Sequence, residues 1–170
     1  MEFLGIDKTK AHPRALELLT ADFFWNPADD LAPFGSDAGH TALACFREWR
    51  ALNPHIEVGY CIAWVIESVG GYEDYDEYNE DDLIDEDLIK ALMADPEFDD
   101  RQYIYTLDTS VIATAFGQLV DEGRIEEDYK YYVQVGIDRL KIWAGLQPEW
   151  EHQAEYLRNL EEMERVLVIA

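Results

Sequence analysis

The chain has 170 residues, 48% of them hydrophobic, which is enough for one domain with its own core and no disulfide framework or structural metal. Its 37 acidic residues against 13 basic ones leave a formal charge of −24. Phosphate contacts need basic side chains, so this balance argues against direct nucleic-acid binding and against docking on anionic membranes. A basic protein or a divalent cation remains compatible with it.

The opening, MEFLGIDKTKAHP, has no basic stretch followed by a long apolar one, so a signal peptide is not expected. Residues 12–20 suggest a short helix opened by His12-Pro13, with Leu16 and Leu19 on one face. Residues 21–35 hold four aromatics, two prolines and three acidic residues without a steady period. They read as an ordered, packed loop.

Ser36 is a helix N-cap, with Asp37 in the first turn. Ala42, Cys45, Phe46 and Trp49 then recur at helical spacing, while Arg47, Glu48 and Arg50 face away. Pro54 fits the first turn of a next helix. Residues 55–69 are apolar on nearly every side, which predicts a helix in the middle of a bundle, ended by Gly70-Gly71. Cys45 and Cys61 read as small buried hydrophobes rather than a disulfide or a CxxC site.

Residues 71–100 contain 14 acidic residues and a single basic one, Lys90. Residues 71–82 read as an acidic loop. Leu83–Met93 reads as an amphipathic helix with Ile84, Leu88, Ala91 and Leu92 inward, broken by Asp95-Pro96. Phe98–Arg101 leads into residues 102–120, which carry one charge, Asp108. That window is too polar to span a bilayer and predicts a buried helix. Asp108 must be paired or neutral if buried; Arg101, Arg124 and Arg139 are its candidate partners, and a capping role is the alternative. Ser110 and Thr114 are expected to bond back to the preceding turn.

Ile125–Trp143 predicts a helix with Tyr129, Tyr132 or Val133, Gly136, Ile137, Leu140 and Trp143 inward, and Gly136 marks a close crossing. The last helix runs from Glu149 to about Val168, with Leu157, Leu160, Val166 and Leu167 on its apolar side. The expected architecture is all-α, a single domain over residues 1–170 built from six to seven helices with mostly antiparallel neighbours. The expected location is the cytoplasm.

The sequence carries few signatures of chemistry. Asp74 and Asp76 start a calcium loop correctly, but Tyr78, Asn79 and Asp85 stand where an Asp or Asn, a glycine and a glutamate are needed. A single Glu-x-x-His occurs, Glu149 to His152, where a di-iron site needs the motif repeated, and there is no HExxH motif, nucleophile elbow, Walker loop or dinucleotide fingerprint. Ser36, Asp37 and His40 sketch a triad within one turn, but capping accounts for Ser36. No catalytic residue, metal or cofactor is expected.

Three readings of function follow. In the first, an acidic interaction protein binds a basic partner through residues 71–87, with Tyr72, Glu73, Asp74, Tyr75, Asp76, Glu77, Tyr78, Asp81 and Asp82 as the contact set. The second is an enzyme or small-ligand protein with a pocket built by Trp25, Asp29, Asp30, Phe34, Asp37 and His40. The third is a homodimer or other structural oligomer using the last helix. A saline cell interior or a merely acidic surface would account for the charge without a partner.

The segment Trp25–Gly39, WNPADDLAPFGSDAG, continued by Ala42-Leu43 and Phe46-Arg47-Glu48-Trp49-Arg50, resembles the opening of uncharacterised bacterial proteins of the YfeS type. Its most specific part is Pro33-Phe34-Gly35-Ser36-Asp37 followed by a helix. Some of those proteins are associated with a WGR module, which has no counterpart in this sequence. The resemblance covers about 30 of the 170 residues. It implies a bacterial cytoplasmic protein and carries no activity. It singles out Trp25, Asp29, Asp30, Phe34, Gly35 and Asp37.

Overall fold

The helix over Tyr103–Glu122, whose low charge predicts burial, is the axis of the molecule. The computed structural model describes residues 5–95 and 102–170. Among these, eight α-helices and no strand form an all-α bundle. They are α1 Pro13–Leu18, α2 Asp37–Leu52, α3 Gly59–Val65, α4 Tyr75–Tyr78, α5 Glu86–Ala94, α6 Tyr103–Glu122, α7 Lys130–Gly145 and α8 Gln153–Ile169. The helix beyond the expected count is α4, a single turn inside the segment read as a loop. The expected lead-in at 98–101 lies outside the described residues.

Every residue of α6 from Leu107 to Val120 is buried, as a helix covered on all sides must be. Its hydroxyls bond back along the helix as expected: Ser110 Oγ donates to the Thr106 carbonyl at 2.6 Å and Thr114 Oγ1 to the Ser110 carbonyl at 2.8 Å. Neighbours in sequence are antiparallel. The Tyr105 and Trp143 rings meet at 5.4 Å and Asp108 meets Arg139, which sets α7 against α6. Trp143 meets Tyr156 and Gln134 meets Glu164, which sets α8 against α7. The pair α2 and α6, far apart in sequence, runs parallel. Ser36 and Ala38 lie beside Tyr105 and Thr106, while Arg47 and Arg50 pair with Asp121 and Glu122.

The start of α2 shows why the loop before it is ordered. Ser36 Oγ accepts the Gly39 N–H at 3.1 Å, the expected cap. The Pro33 carbonyl passes so close that a Cβ on Gly39 would sit 1.9 Å from it, and a Cβ on Gly35 would sit 2.0 Å from the Asp29 carbonyl. Only glycine fits such backbone-to-backbone approaches. Phe24, Leu31 and Phe34 are buried beneath the loop.

Four helices differ from expectation. The helix predicted over 55–69 is α3, which begins at Gly59 and ends in a wide π turn over Ile66–Gly70, closed by Gly71 at φ 71°. It is not apolar all round in its setting. Val58, Cys61, Ile62, Val65 and Ile66 are buried, but Tyr60 and Trp64 are 64% and 47% exposed. The reason is position: α3 packs on α6 and α2 with one side only. In α5 the buried residue is Ile89, while Ile84 and Leu88, expected inside, are 38% and 49% exposed. In α1 the inward pair is Ala15 and Leu19 rather than Leu16 and Leu19, and α8 buries Tyr156, Asn159 and Met163 where Leu157 was expected. Both cysteines are free; Cys45 is half-buried, and burial pushes the Cys61 thiol up to about 12, which leaves it inert. Among the described residues no helix is long and apolar enough to cross a membrane.

Candidate functional site: an acidic face anchored to a buried ion pair

The acidic segment is not a loose loop. Asp74 Oδ1 accepts the Glu77 N–H, and Glu77 Oε2 accepts the Glu73 N–H, so two carboxylates hold the α4 turn together. Residues Asp81–Ile84 form a 3-10 turn, and Asp85 then caps α5 by accepting the Asp87 and Leu88 N–H groups. Negative charge in a first turn also suits the positive end of the helix dipole. The segment packs on α7 through its 3-10 turn and α5.

Tyr78 fixes it to the core. Expected on the contact surface, this side chain is fully buried, and its hydroxyl donates to Asp108 Oδ1 at 2.9 Å. The Asp108 Oδ2 atom pairs with Arg139 Nε at 3.0 Å, and both side chains are buried. Arg139 is therefore the partner among the three arginines considered. Gly136, on α7, leaves the space for this arrangement: a Cβ there would sit 2.9 Å from the Tyr78 hydroxyl and 3.6 Å from Asp108. The close approach at Gly136 is thus a packing of side chains from α4 and α6 against α7.

Burial pushes the Asp108 carboxyl up to about 6, against the pull of Arg139 and the hydrogen bond from Tyr78. Burial opposes the charge of Arg139 as well, but the Asp108 carboxylate outweighs it and holds the guanidinium more firmly protonated than usual. Tyr72 joins the group at its edge. It is half-buried, and its ring lies 6.2 Å from that of Tyr78. The Tyr103 hydroxyl donates to the Gly70 carbonyl at 2.7 Å and ties the end of the π turn to α6.

Outside this anchor the carboxylates face water. Glu73, Asp74, Asp76, Asp81 and Asp82 are exposed and Glu77 is half-buried. Among the described residues no ion pair involves any carboxylate from 73 to 87. The exposed apolar pair Ile84 and Leu88 sits within the acidic stretch. Nothing is described of the Tyr75 side chain.

The residues expected to build a pocket over 25–40 separate. The Trp25 indole N–H donates to the Leu19 carbonyl at 2.8 Å, and the Lys8 ammonium lies over its ring. Asp29 Oδ1 accepts the Leu31 N–H within the loop, and Phe34 is in the core. His40 is exposed on α2. Asp30 and Asp37 do share a concavity, a groove of about 330 Å³ completed by Tyr105, Trp143 and Trp150. The aromatic members of that groove come from α6, α7 and the loop before α8, where no local pattern announces them.

A second polar feature also escaped the sequence. Glu126 Oε2 accepts from Gln118 Nε2 and from the Val58 N–H, both at 2.9 Å, and the Glu126 N–H donates to Gln118 Oε1 at 3.1 Å. This closes the turn between α6 and α7 against the start of α3. Among the described residues no group of three or more His, Cys, Asp or Glu side chains is arranged to hold a metal ion. No family model matches the chain, and no curated protein or solved structure matches it.

Proposed function

We propose that the chain is a non-catalytic interaction protein that docks a basic protein on the face formed by residues 72–88. One observation carries this reading. A run of unpaired carboxylates is held in fixed positions by a buried tyrosine, with two apolar side chains exposed in its midst. Uncompensated charge repels itself and costs stability. Holding such a surface in one shape lowers the ordering cost of association. Long-range attraction steers a basic partner toward it, and Ile84 and Leu88 supply apolar area at the centre of contact.

Asp76, Asp81 and Asp82 make no contact needed for the local fold, so Asp76→Asn, Asp81→Asn and Asp82→Asn together test the charge without unmaking the segment. Capture from the native host at low salt is compared for the wild-type chain and this triple variant, with elution by rising salt. The proposal expects one dominant basic protein that elutes early and is lost from the variant. A dominant partner retained equally by the variant, at every salt concentration, overturns it.

A further inference from the structure

The groove between the start of α2 and the end of α7 has its own chemistry, distant in sequence from the acidic face. Its walls are Tyr105, Trp143 and Trp150 on one side and Asp30 and Asp37 on the other, with Ser36 at the base. The rings form a connected corner: Tyr105 and Trp143 are 5.4 Å apart and tilted by 31°, and Trp143 and Trp150 are 5.8 Å apart and crossed at 70°. Among the described residues no lysine or arginine lines the groove. Neither the Asp30 nor the Asp37 carboxylate has an ion-pair partner among the described residues.

The carboxylates are close enough to act on the Tyr105 hydroxyl. Burial is the main cause that raises it, hydrogen bonding with Ser36 opposes the rise, and Asp30, Asp29 and Asp37 reinforce it. That hydroxyl is committed to the Asp30 carbonyl at 2.8 Å, which holds the Asp30 turn against the ring. Asp37 also offsets the positive end of the α2 dipole, which would otherwise disfavour a cation. Trp143 is 5% exposed, so its ring is largely withdrawn from water where it borders the groove.

We propose that this groove binds a small organic cation of the alkylammonium type, with its charge against the aromatic corner and the Asp30 and Asp37 carboxylates. Aromatic faces attract cations through their quadrupole, and most strongly where water is partly excluded. The volume of about 330 Å³ is that of a small-ligand site. The site is independent of the acidic face and stands or falls separately from it.

The probe is choline, with 3,3-dimethylbutan-1-ol as the neutral molecule of the same shape. Ligand-observed NMR and tryptophan fluorescence follow titrations of the full chain at fixed ionic strength. The expected result is saturable choline binding, at least tenfold weaker binding of the neutral alcohol, and roughly tenfold loss on Trp150→Leu. The variant carrying Asp30→Asn and Asp37→Asn, both at exposed positions, is expected to weaken choline binding while lowering the melting temperature by no more than a few degrees, the loss of one first-turn charge on α2. Equal binding of choline and the neutral alcohol overturns the proposal. So does choline binding that survives both variants, which would assign it to the general negative field of the chain, or the absence of any saturable choline binding.

Discussion

Tyr78 on the acidic segment and Asp108 at the centre of the bundle are joined by a 2.9 Å hydrogen bond across 30 residues of sequence. This contact makes the most charged stretch of the chain a fixed part of the fold. Through Asp108 it reaches Arg139 and so connects α4, α6 and α7 at one point. A buried ion pair of this kind is costly to break, because removing one partner leaves a charge unpaired in the core.

Tyr78→Phe removes the hydroxyl and leaves the ring. The expected loss is about 1–3 kcal/mol, because Asp108 keeps its burial and loses a donor. Hydrogen exchange of the backbone over residues 73–84 should quicken by more than the global change requires. Unchanged protection there would mean that the ring alone fixes the segment.

Acidity should act on Asp108 in a defined direction. Its native carboxyl titrates at about 6, above the ordinary 3.8, because of burial. The native state therefore takes up this proton before the unfolded state does as pH falls. For this group, stability rises as pH drops from about 6 to about 4 and is lost as pH rises back through that window. Asp108→Asn lacks the titration, so its stability relative to the wild type should improve from about pH 4 to about pH 7. Denaturant unfolding at both ends of the range measures this. A variant that loses ground with rising pH would show that Arg139 dominates and holds the carboxyl low.

Glu126 is expected to matter for stability although it lies in a turn. Glu126→Ala frees the buried Val58 N–H and the Gln118 side chain at once, which should cost about 2–4 kcal/mol. Glu126→Gln keeps one acceptor and should cost less. Urea midpoints of the two variants settle the order.

Gly39→Ala should be among the most damaging of small substitutions. The added methyl meets the Pro33 carbonyl, which is backbone and cannot turn aside. A loss of roughly 2 kcal/mol or more is expected, with displacement of the 26–35 loop from α2. A thermal melt indistinguishable from the wild type would contradict this account of the loop.

The helical framework was legible because period and capping are local signals. Ser36 announces α2, and the run of apolar residues around Asp108 announces α6. Asp108 itself was legible as a buried charge, but three arginines were candidates, and only the antiparallel packing of α7 selects Arg139. Tyr78 was misread for a physical reason. A tyrosine between carboxylates has the pattern of a wet surface, and its inward direction depends on the space left at Gly136, 58 positions further along the chain. The face of α5 was misread because Ile84, Leu88, Ile89 and Leu92 offer two overlapping stripes. The 3-10 turn at Asp81–Ile84 rotates the helix so that Ile89 is the one buried. The aromatic groove had no local signal, since its walls come from four separate segments. Of the residues expected to line a pocket over 25–40, only Asp30 and Asp37 face it.

The central claim is that the anchored acidic face binds by charge and by shape together. The most direct measurement is the affinity of the captured basic partner for four forms of the chain over a salt series: wild type, the Asp76, Asp81 and Asp82 asparagine triple variant, Tyr78→Phe, and Ile84→Ser with Leu88→Ser. The account predicts a steep salt dependence for the wild type and a shallower one for the triple variant. It predicts weaker binding at unchanged salt slope for the other two, because they alter order and apolar contact while the charge stays the same. Identical affinities and slopes for all four forms would place the partner elsewhere on the molecule and contradict the account.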